Sequence, residues 1–200
     1  MSNWEPIPGE TPIETDGLLV KSVMTRAELS KVEAENIRKA VIKYLAGPIT
    51  KRTAKFDVGW VLQLHEEMFG KVWAWAGQCR SVELNVGVPA YTIQAELQTL
   101  LDDLQYWRDD ADTPFIEQSP KLHHRAVQIH PFRNGNGRWA RLLANVWLHL
   151  HKQPYTEWPD DSLGVESKVR TEYLGAIRKA DEFDYGPLIA LHDRFTPSDA

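Results

Sequence analysis

Between His130 and Arg141 the chain reads His-Pro-Phe-Arg-Asn-Gly-Asn-Gly-Arg-Trp-Ala-Arg, which sets an imidazole beside a glycine-rich turn and three guanidinium groups. The glycines of Gly135-Asn136-Gly137 open backbone angles closed to other residues, so successive amide N–H groups can converge on an anion. A helix starting at that turn adds its N-terminal dipole to the attraction. Arg138 and Arg141 lie three residues apart on one helix face, about 4.5 Å along the axis. Two guanidinium forks over an amide nest match a di- or triphosphate. His130, fixed by the proline that follows it, is placed to act as a general base on an incoming hydroxyl. The same letters also describe an ordinary helix connection with a solvated arginine face. A histidine metal centre fits poorly, because His123 and His130 share a face but stand roughly 10 Å apart along a helix.

These residues need elements to hold them. Residues 1 to about 24 carry Pro6, Pro8, Gly9, Pro12 and Gly17 and read as an extended arm, with Trp4 as a candidate docking residue. Thr25-Arg26-Ala27-Glu28 is a capping box that starts a helix running to about Ala46, before Gly47-Pro48. A second helix is expected from Phe56 to Phe69, stopping at Gly70. Arg80 to Ile93 holds β-formers broken by Gly87 and Pro89 and suggests a hairpin, a flap of Val86, Gly87, Val88, Tyr91 and Thr92. That flap is either a cover for a ligand or an edge that pairs with an extended target segment. Thr92 is expected to cap a helix to about Asp109, with Leu97, Leu100, Leu101, Leu104 and Trp107 on its core side. Further helices are expected near 116–129, 136–151, 165–180 and 185–195. The fold class is all-α with one β-hairpin, as a single domain over residues 25–196 with a tail at 197–200.

The composition narrows the function classes. The net charge of −5 and pI near 5.8 argue against a general electrostatic grip on nucleic acid or an anionic membrane. Arg133, Arg138 and Arg141 still supply a local basic pocket. Cys79 is the only cysteine, so neither an internal disulfide nor a cysteine-based zinc cage can form. MSNWEPIPGE lacks the charge and apolar run of a signal peptide, which makes a cytoplasmic protein the expectation. The eight tryptophans, at helical spacing, are expected in the core rather than in a ligand cage. Of His123 and His124, one should face the core and bond a polar acceptor there.

The His130–Arg141 segment resembles the Fic family signature HPFx(D/E)GNGRxxR, and Leu64 to Arg80, LHEEMFGKVWAWAGQCR, resembles the stretch before that family's flap. The opening NWEPIPGETPIE together with VQIHPFRNGNGRWARLLAN is similar to a subgroup called mobile mystery protein B, typically encoded beside a helix-turn-helix protein. The resemblance implies a helical bundle with a flap over the motif, and transfer of AMP from ATP to a protein Ser, Thr or Tyr hydroxyl. Carried over by position, His130 is the base and Phe132 the core anchor. Gly135, Asn136 and Gly137 hold phosphates, with Asn136 near the α-phosphate, and Arg138 and Arg141 hold the β- and γ-phosphates. Asn134 stands where the family has an acidic Mg²⁺ ligand. An amide oxygen brings no charge, so magnesium affinity should fall. A histidine at a helix C-terminus is also favoured in its charged form, which opposes base work. Two other readings stay open: transfer of another phosphate-linked moiety, and a nucleotide-binding regulatory or toxin–antitoxin component with little catalysis.

Many Fic proteins carry an inhibitory helix ending in Glu-Gly or Glu-Asn, and LSKVEAENI (Leu29 to Ile37) offers two glutamates. Glu35-Asn36 fits the letters better. Helical phase favours Glu33, which falls with Asn36 inside the stripe of Leu29, Val32, Ile37, Ala40, Val41 and Tyr44, whereas Glu35 points away. A carboxylate on that stripe needs a cationic partner, and the resemblance names Arg141.

Overall fold

A computed structural model describes residues 15–110, 112–159, 163 and 166–197. Among these the architecture is helical: α1 Arg26–Leu45, α2 Val58–Phe69, α3 Ile93–Asp109, α4 Phe115–Ile129, α5 Asn136–Leu150, α6 Lys168–Asp181 and α7 Gly186–Arg194, with a 3₁₀ turn Ala90–Thr92 before α3. The capping box opens α1: Thr25 Oγ1 accepts from Glu28 N–H at 3.2 Å, and Glu28 Oε2 accepts from Thr25 N–H at 3.1 Å. Asp57 caps α2 by accepting from Trp60 N–H at 2.7 Å. Thr92 departs from the expectation. It ends the 3₁₀ turn, and its hydroxyl donates to the Pro89 carbonyl at 2.9 Å instead of capping α3.

α5 is the central helix, buried along most of its length. α4 packs along it and carries α3 and α7 on its other sides, while α1 and α2 pack on each other and on α5. One apolar core joins α1 to α5, and a smaller one around Leu163, Tyr173, Ala176, Ala180, Leu188 and Leu191 joins α6 to α7. Trp60, Trp73, Trp139 and Trp147 are core residues, as their spacing suggested. No helix among the described residues is long and apolar enough to cross a membrane.

The expected hairpin does not form. Among the described residues the only β pairing is an isolated bridge between Leu18 and Trp73. Residues 80–89 form instead a loop organised by one buried guanidinium. Arg80 Nε donates to the His130 carbonyl at 2.8 Å, Nη1 to the Val82 carbonyl at 3.0 Å and Nη2 to the Val88 carbonyl. Those carbonyls are then unavailable for a ladder, Pro89 has no N–H to give, and Gly87 at φ +92° is far from extended. Trp4 and the first fourteen residues of the arm lie outside the described residues. The part from Thr15 to Met24 is packed down, with Leu18 and Val23 buried and Leu19 N–H donating to the Val72 carbonyl at 2.8 Å.

Candidate active site

α4 ends where Pro131 forbids its continuation, and His130 takes the left-handed conformation (φ 53°, ψ 58°) as its C-cap. Two contacts fix that turn. Arg80 holds the His130 carbonyl, and the Gly87 backbone lies directly on the histidine, where a Cβ would come within 2.6 Å of His130 Cβ. The segment expected as a flap therefore does cover the motif through Gly87 and Val88, as a loop, while Tyr91 stays exposed. Burial pushes the His130 imidazole down to about 4, and a hydrogen bond to the Val127 carbonyl only partly offsets this. Desolvation thus outweighs the helix dipole, and the ring is neutral near pH 7. With one ring N–H given to Val127, the other nitrogen carries the lone pair a base needs.

The loop after it is built around Phe132 and Asn136. Phe132 is fully buried, stacks on the His65 ring at 3.6 Å and meets Trp139 edge-on at 5.0 Å. This buried position is what the anchor role implied by the resemblance requires. The Asn136 side chain has a different task from the one carried over. Its Oδ1 accepts from Phe132 N–H at 2.9 Å and its Nδ2 donates to the Phe132 carbonyl at 2.8 Å, so it clamps the loop. What Asn136 offers a phosphate is its backbone N–H in the first turn of α5. Gly135, at φ +81°, is the N-cap of α5, and a Cβ there would lie 2.7 Å from Phe69. Gly137 is different, sitting within α5, where a Cβ would meet only ordinary contacts at 3.7 Å.

His65, to which no role was assigned from sequence, fixes this loop from behind. Its Nδ1 accepts from Gly77 N–H at 3.0 Å, which puts the proton on Nε2, facing the Asn134 carbonyl at 3.1 Å. Burial lowers its pKa to about 3, so that tautomer persists. Asn134 Oδ1 accepts from Gly135 N–H at 2.6 Å. This amide is neutral and already engaged. Among the described residues no three His, Cys, Asp or Glu side chains gather to hold a metal ion.

The arginines diverge. Arg133 turns outward to Asp16 at 3.1 Å and drops out of the expected basic pocket. Arg138 and Arg141 line a cavity of about 1050 Å³, together with His130, Asn134 and the Gly135–Gly137 turn. Arg138 rests over the Phe69 ring at 4.8 Å and donates to Glu33 Oε2 at 2.6 Å. Glu33 is buried at 5% exposure, and its other oxygen accepts from Trp73 Nε1 at 2.6 Å. Glu33 turns inward, as its helical phase suggested, whereas Glu35 is exposed, with Arg38 at 3.3 Å and Lys39 at 3.4 Å. The arginine bonded to Glu33 is Arg138, however, where the resemblance had named Arg141. Both arginines sit on the face of α5 toward the cavity, and Glu33, one helix across, reaches the one nearer the nest. Trp73 and Trp158 also line the cavity, so two tryptophans have a place beside the site rather than in the core alone.

His65, Arg80 and Trp73 were all missed as site residues. All three lie in the quoted segment Leu64–Arg80, but their partners in the site (Asn134, His130 and Glu33) are tens of residues away and leave no local pattern.

The family model described as Fic/DOC matches residues 55–148. The protein adenylyltransferase fic-1 of Caenorhabditis elegans is 28% identical over 145 residues, 70% of this chain and 27% of that protein. The protein adenylyltransferase Fic of Aedes aegypti is 23% identical over 184 residues, 90% of this chain and 34% of that protein. This chain therefore spans about a third of the length of the curated relatives it matches. The BepC effector protein of Bartonella tribocorum, solved with bound AMPPNP, superposes at a TM-score of 0.67 with 16% identity, over 94% of this chain and 99% of that one. That likeness is one of fold, and it includes the helices outside residues 55–148. With the motif, its buried phenylalanine and its helical frame in place, the chain is similar to the Fic/DOC family over residues 55–148, just under half of its length, and shares the fold of the solved Fic structures.

Proposed function

We propose that this chain transfers AMP from ATP to a Ser, Thr or Tyr hydroxyl of a target protein. The observation that carries the reading is a neutral, rigidly held His130 at the mouth of a glycine nest that Arg138 and Arg141 flank. In the step proposed, the target hydroxyl oxygen forms a bond to the α-phosphorus as its proton passes to His130. The bond from that phosphorus to the bridging oxygen breaks, and pyrophosphate leaves. The N–H groups of Asn136 and Gly137 and the two guanidinium groups neutralise charge on the phosphates. Asn134 fits poorly as a resident Mg²⁺ ligand, so any magnesium arrives on the nucleotide's own phosphates.

Glu33 supports a self-inhibited state. Its carboxylate occupies the Arg138 fork that a phosphate would need, and Trp73 keeps it there. The same contact favours the second reading, a nucleotide-binding component with little turnover. Mass spectrometry of the protein incubated with ATP and a mixture of candidate targets separates the two. Addition of AMP by the wild type or Glu33→Gly, abolished in His130→Ala, supports transfer. ATP binding by calorimetry with no adduct from either active form leaves the regulatory reading.

A further inference from the structure

Behind Arg141 lies a run of buried polar groups that neither catalysis nor the apolar core explains. Tyr173 Oη is 3.1 Å from His123 Nε2, and His123 Nδ1 is 3.0 Å from His192 Nε2. His192 Nδ1 is 3.2 Å from Thr156 Oγ1, which is 3.3 Å from Thr196 Oγ1. The Thr196 hydroxyl donates to the His192 carbonyl at 2.8 Å. His123, His192, Thr156 and Tyr173 are all buried, and they come from α4, α6, α7 and the segment after α5.

When every contact in this run is made at once as a hydrogen bond, the direction of each proton follows. A carbonyl can only accept, so the Thr196 proton goes to it and Thr196 Oγ1 must accept from Thr156. Thr156, having given its proton, accepts from His192 Nδ1–H. His192 Nε2 then accepts from His123 Nδ1–H, and His123 Nε2 accepts from the Tyr173 hydroxyl. That leaves the Tyr173 oxygen as an acceptor at the far end. A guanidinium, which has donors and no acceptor, is the complementary group for it. Arg141 supplies one: its Cζ lies 5.9 Å from the Tyr173 ring centre, and a Cβ built on Gly137 would be 3.7 Å from both Arg141 Nη1 and Tyr173 Oη. The tyrosine hydroxyl and the guanidinium thus flank one point of the phosphate nest. Arg141 acts on that hydroxyl by charge and by hydrogen bond, against the burial that raises its pKa. Burial also lowers His123 well below its ordinary value and His192 to about 3, so both rings are neutral, as the order requires.

We infer that Tyr173, His123, His192, Thr156 and Thr196 form a one-way hydrogen-bond relay that orients the Arg141 guanidinium toward bound polyphosphate. They are positioning residues. The inference rests on the reading of Arg141 as a phosphate-binding arm. The relay joins α6 and α7 to the nest, and most of its members lie beyond the 55–148 segment that matches the family model. Polarisation along such a chain strengthens each bond. Breaking it at the tyrosine leaves Arg141 able to bond elsewhere, and so less ordered for phosphate.

Two measurements test it. Side-chain ¹⁵N NMR of the full chain, assigned with His→Gln variants, should report His123 and His192 as Nδ1–H tautomers and His65 as the Nε2–H tautomer. Finding His123 or His192 as Nε2–H, or charged at pH 7, overturns the relay whatever the nucleotide result. ATP titration calorimetry is then run on the wild type, Tyr173→Phe, Arg141→Ala and the double variant. Tyr173→Phe removes one oxygen and should weaken ATP about tenfold, with no further loss when added to Arg141→Ala. Unchanged ATP affinity in Tyr173→Phe while Arg141→Ala weakens it, or losses that multiply in the double variant, overturns the proposal. If Arg141→Ala itself binds ATP like the wild type, the phosphate reading of Arg141 falls, and the NMR result still decides the relay.

Discussion

At the scale of single residues, the chemistry turns on which protonation states the fold permits. His130 works as a base only when neutral, and burial puts its pKa at about 4. For an unperturbed imidazole, half the base form would be lost near pH 6.5. Here kcat/KM for transfer should stay flat from about pH 7.5 to about pH 5.5, since that profile reports the free enzyme. A half-loss near 6.5 would contradict the buried, neutral assignment. Asn134 makes the complementary case for charge. Its Oδ1 accepts the Gly135 N–H at 2.6 Å, a bond a carboxylate can also accept. Asn134→Asp should thus keep the loop and add a charge for magnesium, lowering the concentration needed for half-maximal transfer by about tenfold. An unchanged magnesium titration would show that this side chain never meets the ion.

At the scale of elements, α1 and α5 are coupled through one ion pair. Glu33 is buried, bonded by both Trp73 and Arg138, and so held without side-chain freedom. Relieving about 1.4 kcal/mol of competition for Arg138 corresponds to a tenfold gain in rate, so Glu33→Gly should raise AMP transfer by about that factor or more. The same change costs roughly 1 kcal/mol through glycine's helix penalty. Glu35→Gly carries that penalty on an exposed position and frees no cavity arginine, so its rate should match the wild type. Equal rates in the two variants, measured beside their melting temperatures, would remove the brake from α1. The loop of residues 80–89 shows the same logic without a regulatory role. One guanidinium replaces a strand ladder, and the loop is tied to the motif where Arg80 meets the His130 carbonyl and where Val88 N–H donates to the Ile129 carbonyl at 3.3 Å.

At the scale of the whole molecule, the buried histidines set an acid limit. His65 and His192 are held near 3, His130 near 4, and His123 well below its ordinary value, all chiefly by burial. The unfolded chain takes up protons at these rings below about pH 6.5, and the folded chain does not. Their contribution is therefore complete above that pH and is lost as pH falls toward the folded values. Within the window each ring costs ~1.4 kcal/mol per pH unit, so four together make the slope steep. The urea midpoint should drop sharply between pH 7 and pH 5, and His65→Gln should flatten the drop while lowering the pH 7 value. A midpoint that does not move with pH would mean these rings protonate in the folded state.

The sequence by itself determined what short-range chemistry can encode. The capping box at Thr25–Glu28, the stop at His130-Pro131, the glycine at the mouth of α5 and the phase that turns Glu33 inward all depend on neighbours within a turn or two. Hence the helical frame and the motif were legible from the letters. Tertiary structure alone decided what depends on distant partners. The β-formers of residues 80–93 favour strands in isolation, but the Arg80 guanidinium claimed their carbonyls and no hairpin formed. Asn136 was read as a phosphate ligand, yet its amide is spent on Phe132. Arg133 shares a motif with Arg138 and Arg141 but points to Asp16, which a packed N-terminal segment delivers. His65, Trp73 and the Tyr173 relay have partners tens of residues away, and nothing in local spacing marks them. Which arginine receives Glu33, and whether His130 is charged, are likewise set by burial and distance, quantities that exist only once the chain has folded.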